Sequence, residues 1–398
     1  MPPPLRLRTF TTLFPNSAPP NHGIFVENRL RHLLADAPKL EGGGEVAATV
    51  LAPTWWFPTT SPRFGIWSTY ARIPRQEQRH GLTIHHPRAL TVPKLGMYTA
   101  PYALYRAAAR HIRAHRLEFD AIDAHYLYPD GVAALFLARE FAKPLAITAR
   151  GSDITELPDH TIPRRQIQRA IAGCDALIAV SAGLKSRLLE LGAPDEKVTV
   201  LRNGIDTTQF RPVPSREAAR AKLGFTRPTL ISVGGLIPRK RHHLTIDALT
   251  HLPDWDLVLI GAGPEHQALA ARAAQLGLSN RVRLLGPRPH AELPAYYAAA
   301  DASVLASSRE GWANVLLESM ACGTPVIASR IPGNPEVVQS REAGLITREN
   351  TAEAIAEAVR DLFATPPDRA ATRRYAEAFG WQETSAGQLA LFRRITGK

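Results

Sequence analysis

Cysteine is scarce: the 398 residues contain two, Cys174 and Cys322, each inside an apolar run. That excludes a disulfide framework, fits a reducing compartment and casts both as buried packing residues. Long apolar runs are missing as well. No stretch approaches the roughly 20 apolar residues that span a bilayer, and the start, MPPPLRLRTF, has no apolar signal-peptide core. A cytoplasmic chain is expected. Metal motifs are also missing. There is no HExxH, no zinc spacing and no Asp-x-Asp cluster, and His242-His243 and His85-His86 are adjacent pairs whose side chains diverge. No metal and no cofactor are expected. Phosphate-loop lysine chemistry has no match, and Gly261-Ala262-Gly263-Pro264 lacks the third glycine of a dinucleotide fingerprint.

What is present is a basic chain of ordinary folded composition, 45% hydrophobic and 21% charged, with a net charge of +12. The 48 basic residues are spread along the sequence and form no tail, but residues 1–204 hold 25 of them against 17 acids. The densest run is Arg106, Arg110, His111, Arg113, His115 and Arg116 on a predicted helix. Two readings stand: a solvated helix face, or docking to an anionic membrane surface, where each cation gains about 1 kcal/mol. No aromatic-interleaved basic stripe accompanies it, so nucleic acid is not the expected partner.

At this length two domains are expected. The first half alternates β-rich runs, at 5–11, 46–51, 82–85, 121–124, 145–148, 176–180 and 198–201, with helical ones at 24–34, 98–115, 131–141, 163–172 and 182–191. Such alternation is that of a parallel sheet covered by helices. The stretch 55–74 is too rich in proline and aromatics for a regular element and reads as an acceptor-side loop. After Asn203-Gly204-Ile205-Asp206 comes a polar, proline-containing boundary at 211–228, and the alternation restarts. Strands are predicted at 230–233, 256–260, 282–285, 302–305, 325–328 and 344–347, with helices at 243–252, 265–275, 292–300, 315–322 and 352–363. The fold class is therefore α/β: two Rossmann-like domains facing across a cleft, at 1–205 and 206–379. In such sheets ligands bind beyond the carboxyl ends of the strands.

The segment Arg309 to Ser329 is the most informative. It follows an apolar strand and opens a helix near Ala313 after Glu310, Gly311 and Trp312, then ends on a glycine C-cap and a second strand. The helix start offers backbone N–H groups at its positive end, suited to a diphosphate. Glu310 and Glu318 can accept hydrogen bonds from sugar and ribose hydroxyls. Each glutamate alone also reads as an ordinary helix-start or solvated residue. Gly234-Gly235-Leu236-Ile237-Pro238-Arg239-Lys240 adds a glycine turn followed by cations, which can stabilise the charge on a departing phosphate. As a bare pattern, Arg239, Lys240 and Arg241 also fit a solvated loop.

The run EGWANVLLESMACGTPVIAS closely resembles the donor-site signature of retaining glycosyltransferases of family 4, which have the two-domain GT-B architecture. Gly151-Ser152-Asp153, Asn203-Gly204-Ile205-Asp206 and Val233-Gly234-Gly235-Leu236 leading to Lys240 fall in the family's order across nearly the whole chain. The resemblance implies a hexosyltransferase acting on a UDP- or GDP-sugar and a glycan or lipid-linked hydroxyl acceptor, as in polysaccharide biosynthesis. It implies that Glu310 holds donor-sugar hydroxyls, Glu318 the ribose, and the backbone near Ala313, Asn314 and Val315 the phosphates. Lys240 matches the family lysine. Gly235 stands where the family usually has arginine, so Arg239 is the candidate substitute. Ile331-Pro332-Gly333 is implied to border the donor sugar.

On the first domain, Ala124-His125-Tyr126-Leu127-Tyr128-Pro129-Asp130-Gly131 follows a strand; a lone histidine there also reads as structural, and the match to the family position makes His125 the candidate to orient the acceptor hydroxyl or hydrogen-bond the transferred sugar, with a pKa near neutrality. Arg150 departs from the commoner histidine-glycine form and is open to either the donor phosphate or the acceptor; Asp153 follows it on the acceptor side. Phe14-Pro15-Asn16 through Pro19-Pro20 to Gly23 resembles the family's acceptor-side loop, and an ordinary proline-rich turn fits it too. The helix from Trp381 to Ile395, within 380–398, is implied to cross back to the first domain. Rival readings are a non-catalytic nucleotide-sugar-binding subunit, motivated by Gly235; a nucleic-acid binder, motivated by the charge; and an epimerase or phosphorylase on the same fold.

Overall fold

The computed structural model describes residues 4–18, 22–40, 43–90 and 96–398. The chain forms two compact units, Met1–Asn203 with Trp381–Lys398, and Gly204–Gly380.

The first unit is built on an eight-stranded sheet. Its strands are β1 (Leu5–Phe10), β2 (Val46–Leu51), β4 (Gln76–Arg79), β5 (Leu82–His85), β7 (Ala121–His125), β8 (Leu145–Ala149), β9 (Ala176–Ala179) and β10 (Val198–Val200), in the order β10-β9-β8-β7-β1-β2-β5-β4. All pairs are parallel except β4 on β5. The interior strands β7, β8 and β9 are buried throughout because helices cover both faces, whereas β1 carries Arg6 and Arg8. Beneath β1 lies a core of Leu5, Leu7, Leu33, Leu389 and Phe392. It joins the helix Ile24–Asp36 to the C-terminal helix Gln382–Thr396. Trp381, at the start of that last helix, stacks on His32 with ring centroids 5.0 Å apart.

Chain order reverses at β1, with β2 on one side and β7 on the other, which is the switch point where such sheets leave space for ligands. In register Thr9 pairs with Asp123. Asp123 and His125, two residues apart on one strand, point to the same face.

The second unit carries six parallel strands: β11 (Thr229–Val233), β12 (Asp256–Ile260), β13 (Val282–Leu284), β14 (Ala302–Leu305), β15 (Val326–Ala328) and β16 (Gly344–Ile346), ordered β13-β12-β11-β14-β15-β16. Its switch point lies between β11 and β14, so the loops leaving Val233 and Leu305 are neighbours.

Three expectations are corrected. The stretch 55–74 is not irregular: β3 (Thr54–Trp55) pairs with β6 (Arg88–Ala89), and Ile66–Arg72 is helical. Arg88 reaches back to cap this helix, donating to the Tyr70 carbonyl at 2.9 Å and to the Ile73 carbonyl. The polar stretch 211–228 contains a helix, Arg216–Leu223, capped by Ser215 Oγ on the Ala218 N–H. Arg216 and Arg220 both fasten it to Asp301, at 2.5 and 2.9 Å. Finally, the strand Gln76–Arg79 and the helix Arg369–Glu377 stand where no element was predicted.

Candidate active site

In the second unit, the loops after β11 and β14 close on one another. Lys240 Nζ lies 2.6 Å from Glu310 Oε1. Arg239 Nη1 lies 3.4 Å from Glu310 Oε2 and donates to the Arg309 carbonyl at 3.2 Å. The Ser308 N–H returns to the Arg239 carbonyl at 2.8 Å. Three residues singled out in the sequence, Arg239, Lys240 and Glu310, are thus one cluster at the carboxyl end of the sheet. With Lys240 and Glu310 side chains only 13% and 10% exposed, the basic run is not a solvated loop.

Gly261 is explained by the same closeness: a Cβ there would sit 1.8 Å from the Gly234 carbonyl oxygen, so glycine is required for the backbones to meet. Gly235 is different. A Cβ at Gly235 would meet nothing closer than 3.8 Å, so the position has room for a side chain.

Gly311, Trp312 and Ala313 lead from Glu310 into the helix Asn314–Ala321. Trp312 and Ala313 are buried, and the Asn314 N–H turns back on the Trp312 carbonyl at 3.1 Å. Asn314 and Val315 occupy the positive end of the helix. Glu318 faces inward on it and is 8% exposed, so it is not a solvated helix residue. Its carboxylate meets His290 Nε2 at 3.0 Å and the Tyr297 hydroxyl at 3.1 Å. Neither partner was singled out from the sequence, because neither belongs to a motif and both lie more than 20 residues away. Burial lowers the His290 pKa, but the hydrogen bond and charge of Glu318, helped by Asp206, outweigh it and the net shift is upward. The Ser329 hydroxyl donates to the Ser307 carbonyl at 2.6 Å, and Asn334 Nδ2 to the Ser329 carbonyl at 2.9 Å, which fixes the Ile331-Pro332-Gly333 turn to the same edge.

In the first unit, His125 is 1% exposed. Asp123 Oδ2 stands 3.1 Å from its Nε2 and Arg150 Nη2 stands 2.7 Å from its Nδ1. Because a guanidinium only donates, Nδ1 must be the bare nitrogen and Nε2 carries the proton. The expectation of a pKa near neutrality is overturned. Burial, with Arg150 and Arg29 opposing the pull of Asp123, brings His125 down to about 4. Arg150, left open between phosphate and acceptor, turns inward: Nη1 donates to Asn203 Oδ1 at 3.2 Å, and its guanidinium lies over the Phe25 ring at 5.1 Å. Arg29, fully buried, donates to the Leu201 carbonyl at 3.0 Å and to Asn203 at 3.3 Å.

Asp153 is a backbone tie. Its carboxylate accepts the N–H groups of Leu127 (2.8 Å), Gly151 (2.7 Å) and Arg150 (3.1 Å). Asp130, which sequence reasoning did not single out, does the same for the loop after β1, accepting the Thr12 N–H at 2.7 Å; its burial raises its pKa to about 7. Gly23 sits at φ 70° at the start of the first helix, and a Cβ there would lie 2.3 Å from the Leu13 carbonyl oxygen, so backbone packing alone demands glycine. Pro19 and Pro20 of the acceptor-side loop lie outside the described residues. Cys174 and Cys322 are both buried, and burial pushes each thiol up to about 12. Among the described residues, no group of three or more His, Cys, Asp or Glu is placed to hold a metal ion, and no helix is long and apolar enough to cross a membrane.

Two α/β units with ligand-type loops at the carboxyl ends of their strands are the GT-B class of glycosyltransferase folds. Solved structures agree on the fold. Sucrose-phosphate synthase from Thermosynechococcus elongatus matches with a TM-score of 0.80 at 20% identity, covering 99% of this chain and all of that one. HepE from Anabaena, solved with UDP-glucose, matches with a TM-score of 0.71 at 21% identity over 97% and 99%. Residues 63–209 match the model of glycosyltransferase family 4, and residues 215–379 that of glycosyl transferases group 1. The D-inositol 3-phosphate glycosyltransferase of Mycobacterium tuberculosis is 30% identical over 335 residues, covering 76% of this chain and 68% of the relative. The chain belongs to glycosyltransferase family 4, and is a hexosyltransferase-type enzyme.

Proposed function

We propose that the chain moves a hexose, with retention of configuration, from a UDP- or GDP-sugar to a hydroxyl of a lipid-linked or polysaccharide glycan. The observation that carries this is the Lys240–Glu310 pair at 2.6 Å, a cation and a hydroxyl-accepting carboxylate set beside a helix start. In the transfer, the bond from the anomeric carbon to the diphosphate breaks and a bond from the acceptor oxygen forms on the same face; the acceptor proton leaves on the phosphate. Lys240, Arg239 and the helix end oppose the charge that builds on the diphosphate, so neither a metal nor a cofactor is required. Glu310 holds donor-sugar hydroxyls and Glu318 the ribose; on the acceptor side the buried residues act through the backbone they hold, Asp153 tying the loop at Arg150 and Gly151, His125 and Arg150 fixing one another, and Gly23 letting the first helix start against Leu13. The HepE complexes with UDP and UDP-glucose favour UDP as the base carrier, and the inositol phosphate relative favours a hydroxyl acceptor.

A cytoplasmic, membrane-peripheral location is part of this reading. Exposed Arg106, Arg110 and Arg113 on the helix Gly96–His115, Arg139 on Val132–Phe141, and Arg164, Arg165 and Arg169 on Thr161–Gly173 offer cations to an anionic membrane. Exposed Tyr102, Phe136 and Ile162 on the same three helices add apolar anchors.

The test is a thermal-shift series of the full chain with UDP, GDP and their sugars. One nucleotide raises the melting temperature, and Lys240→Ala weakens that rise. Hydrolysis of the stabilising nucleotide-sugar by the wild type exceeds that by Glu310→Ala. Tight nucleotide binding with equal hydrolysis by both proteins would instead make the chain a non-catalytic binding subunit, the reading that Gly235 favours.

A further inference from the structure

Glu318 can serve a ribose only if its lone pairs are aimed. A glutamate has three torsions to fix before two hydroxyls can meet its oxygens, and freezing them costs side-chain entropy. Here the protein has frozen them already. Oε1 lies 3.0 Å from His290 Nε2 and Oε2 accepts the Tyr297 hydroxyl at 3.1 Å, one partner per oxygen. Each carboxylate oxygen has a second lone pair for a ligand hydroxyl.

The partners are themselves held. Tyr297 is fully buried. His290 has Gln209 Nε2 2.9 Å from its Nδ1 and the Phe210 ring edge-on at 5.0 Å. With the amide nitrogen on Nδ1, the imidazole proton sits on Nε2, facing Glu318. If the ring gains a second proton, the Gln209 amide can turn and present its oxygen to Nδ1, so the contact to Glu318 survives in either state.

We propose that His290 is a positioning residue for the donor: together with Tyr297 it holds Glu318 in the orientation that receives the ribose hydroxyls. The proposal rests on the reading of Glu318 as the ribose ligand. Its role is selective, because a donor lacking the 2′-hydroxyl keeps only one of the two hydroxyls that an aimed carboxylate receives.

The experiment is calorimetric binding of UDP and GDP, each beside its 2′-deoxy counterpart, to the full chain. The wild type prefers the ribonucleotide of its chosen base by about tenfold, the size of one good charge-assisted hydrogen bond. In His290→Ala and in Tyr297→Phe the ribonucleotide weakens by about fivefold to tenfold while the deoxynucleotide, which keeps only its 3′-hydroxyl for Glu318, weakens less, so the preference falls toward one. His290→Gln, which can still donate to Glu318, restores most of it. A His290→Ala protein that keeps the wild-type preference overturns the proposal; if that variant does not fold, Tyr297→Phe, which keeps the ring, decides in its place. A wild type that binds a nucleotide without distinguishing its deoxy form overturns the clamp and leaves the proposed donor class standing. A wild type that binds neither nucleotide overturns both.

Discussion

Two histidines of this enzyme sit almost equally far from a carboxylate, and their proton affinities move in opposite directions. His125 is 3.1 Å from Asp123 and is driven down to about 4; His290 is 3.0 Å from Glu318 and is driven up. The carboxylate contact cannot account for the difference. The surroundings and the second ring nitrogen can. His125 is sealed, and its Nδ1 faces Arg150, a permanent cation, with Arg29 adding to the field. The His290 side chain keeps 15% of its exposure, its Nδ1 faces a neutral amide, and Asp206 adds negative charge. One unit has therefore built a histidine that stays neutral, fit to hold geometry. The other has built a histidine that can share charge with its carboxylate.

The largest expected contrast is in stability. Asp123 is the carboxylate whose charge faces Arg29, Arg150 and His125, and burial alone would raise its pKa; those three neighbours outweigh that and hold it below the ordinary carboxylate range. Asp123→Asn keeps the shape and removes the charge, leaving the buried Arg29 without its carboxylate and Arg150 with Asp153 alone. A loss of about 3–5 kcal/mol is expected in urea unfolding, as for other broken buried pairs. Glu318→Gln, the matching change beside His290, costs about 1 kcal/mol or less, because His290 can shed its proton. Equal losses would mean that the second partner does not set the difference.

A smaller effect isolates that partner. Arg150→Gln removes the cation at His125 Nδ1 and leaves the burial. Since burial is the larger cause of the downward shift, the His125 pKa rises by about one unit and does not return to the ordinary value of about 6.5. Ring-proton NMR across a pH series measures it. A pKa still near 4 would assign the whole shift to burial.

Much of this was legible in the sequence, and what was not has physical causes. Strands such as Leu145–Ala149, Asp256–Ile260 and Ala302–Leu305 stand where apolar runs predicted them, because parallel strands buried on both faces carry their own signal. The strand Gln76–Arg79 carries none: it is a polar, partly exposed edge whose pairing, not its composition, makes it β. The helix Ile66–Arg72 owes its cap to Arg88, and Arg216–Leu223 its place to Asp301, both distant in sequence. The site divides the same way. Lys240 and Glu310 were each named from local motifs, but their contact joins residues 70 apart. His290 and Tyr297 have no motif, and become visible only when the fold sets them around Glu318.

The smallest effect, and the one that most directly tests opposite signs, is the pH dependence of folding. His125 is harder to protonate in the fold than in the unfolded chain. Its contribution is complete above about pH 6.5 and is lost as the pH falls toward 4, since only the unfolded chain takes up the proton there. His111 and His242, also brought down to about 4 by burial, act in the same direction and form the background. His290 runs against them. Its folded pKa lies above the unfolded value, so its contribution is complete below about pH 6.5 and disappears as the pH rises through the folded pKa. The groups that set this are Glu318 and Asp206. His290→Gln should therefore be less stable than the wild type at pH 6, by under about 1 kcal/mol, and closer to it at pH 8.5. Taking the difference between the two proteins at each pH cancels the background histidines. A deficit that is constant with pH, or that grows toward pH 8.5, would show that His290 holds no extra proton in the fold, and the contrast between the two histidines would reduce to His125 alone.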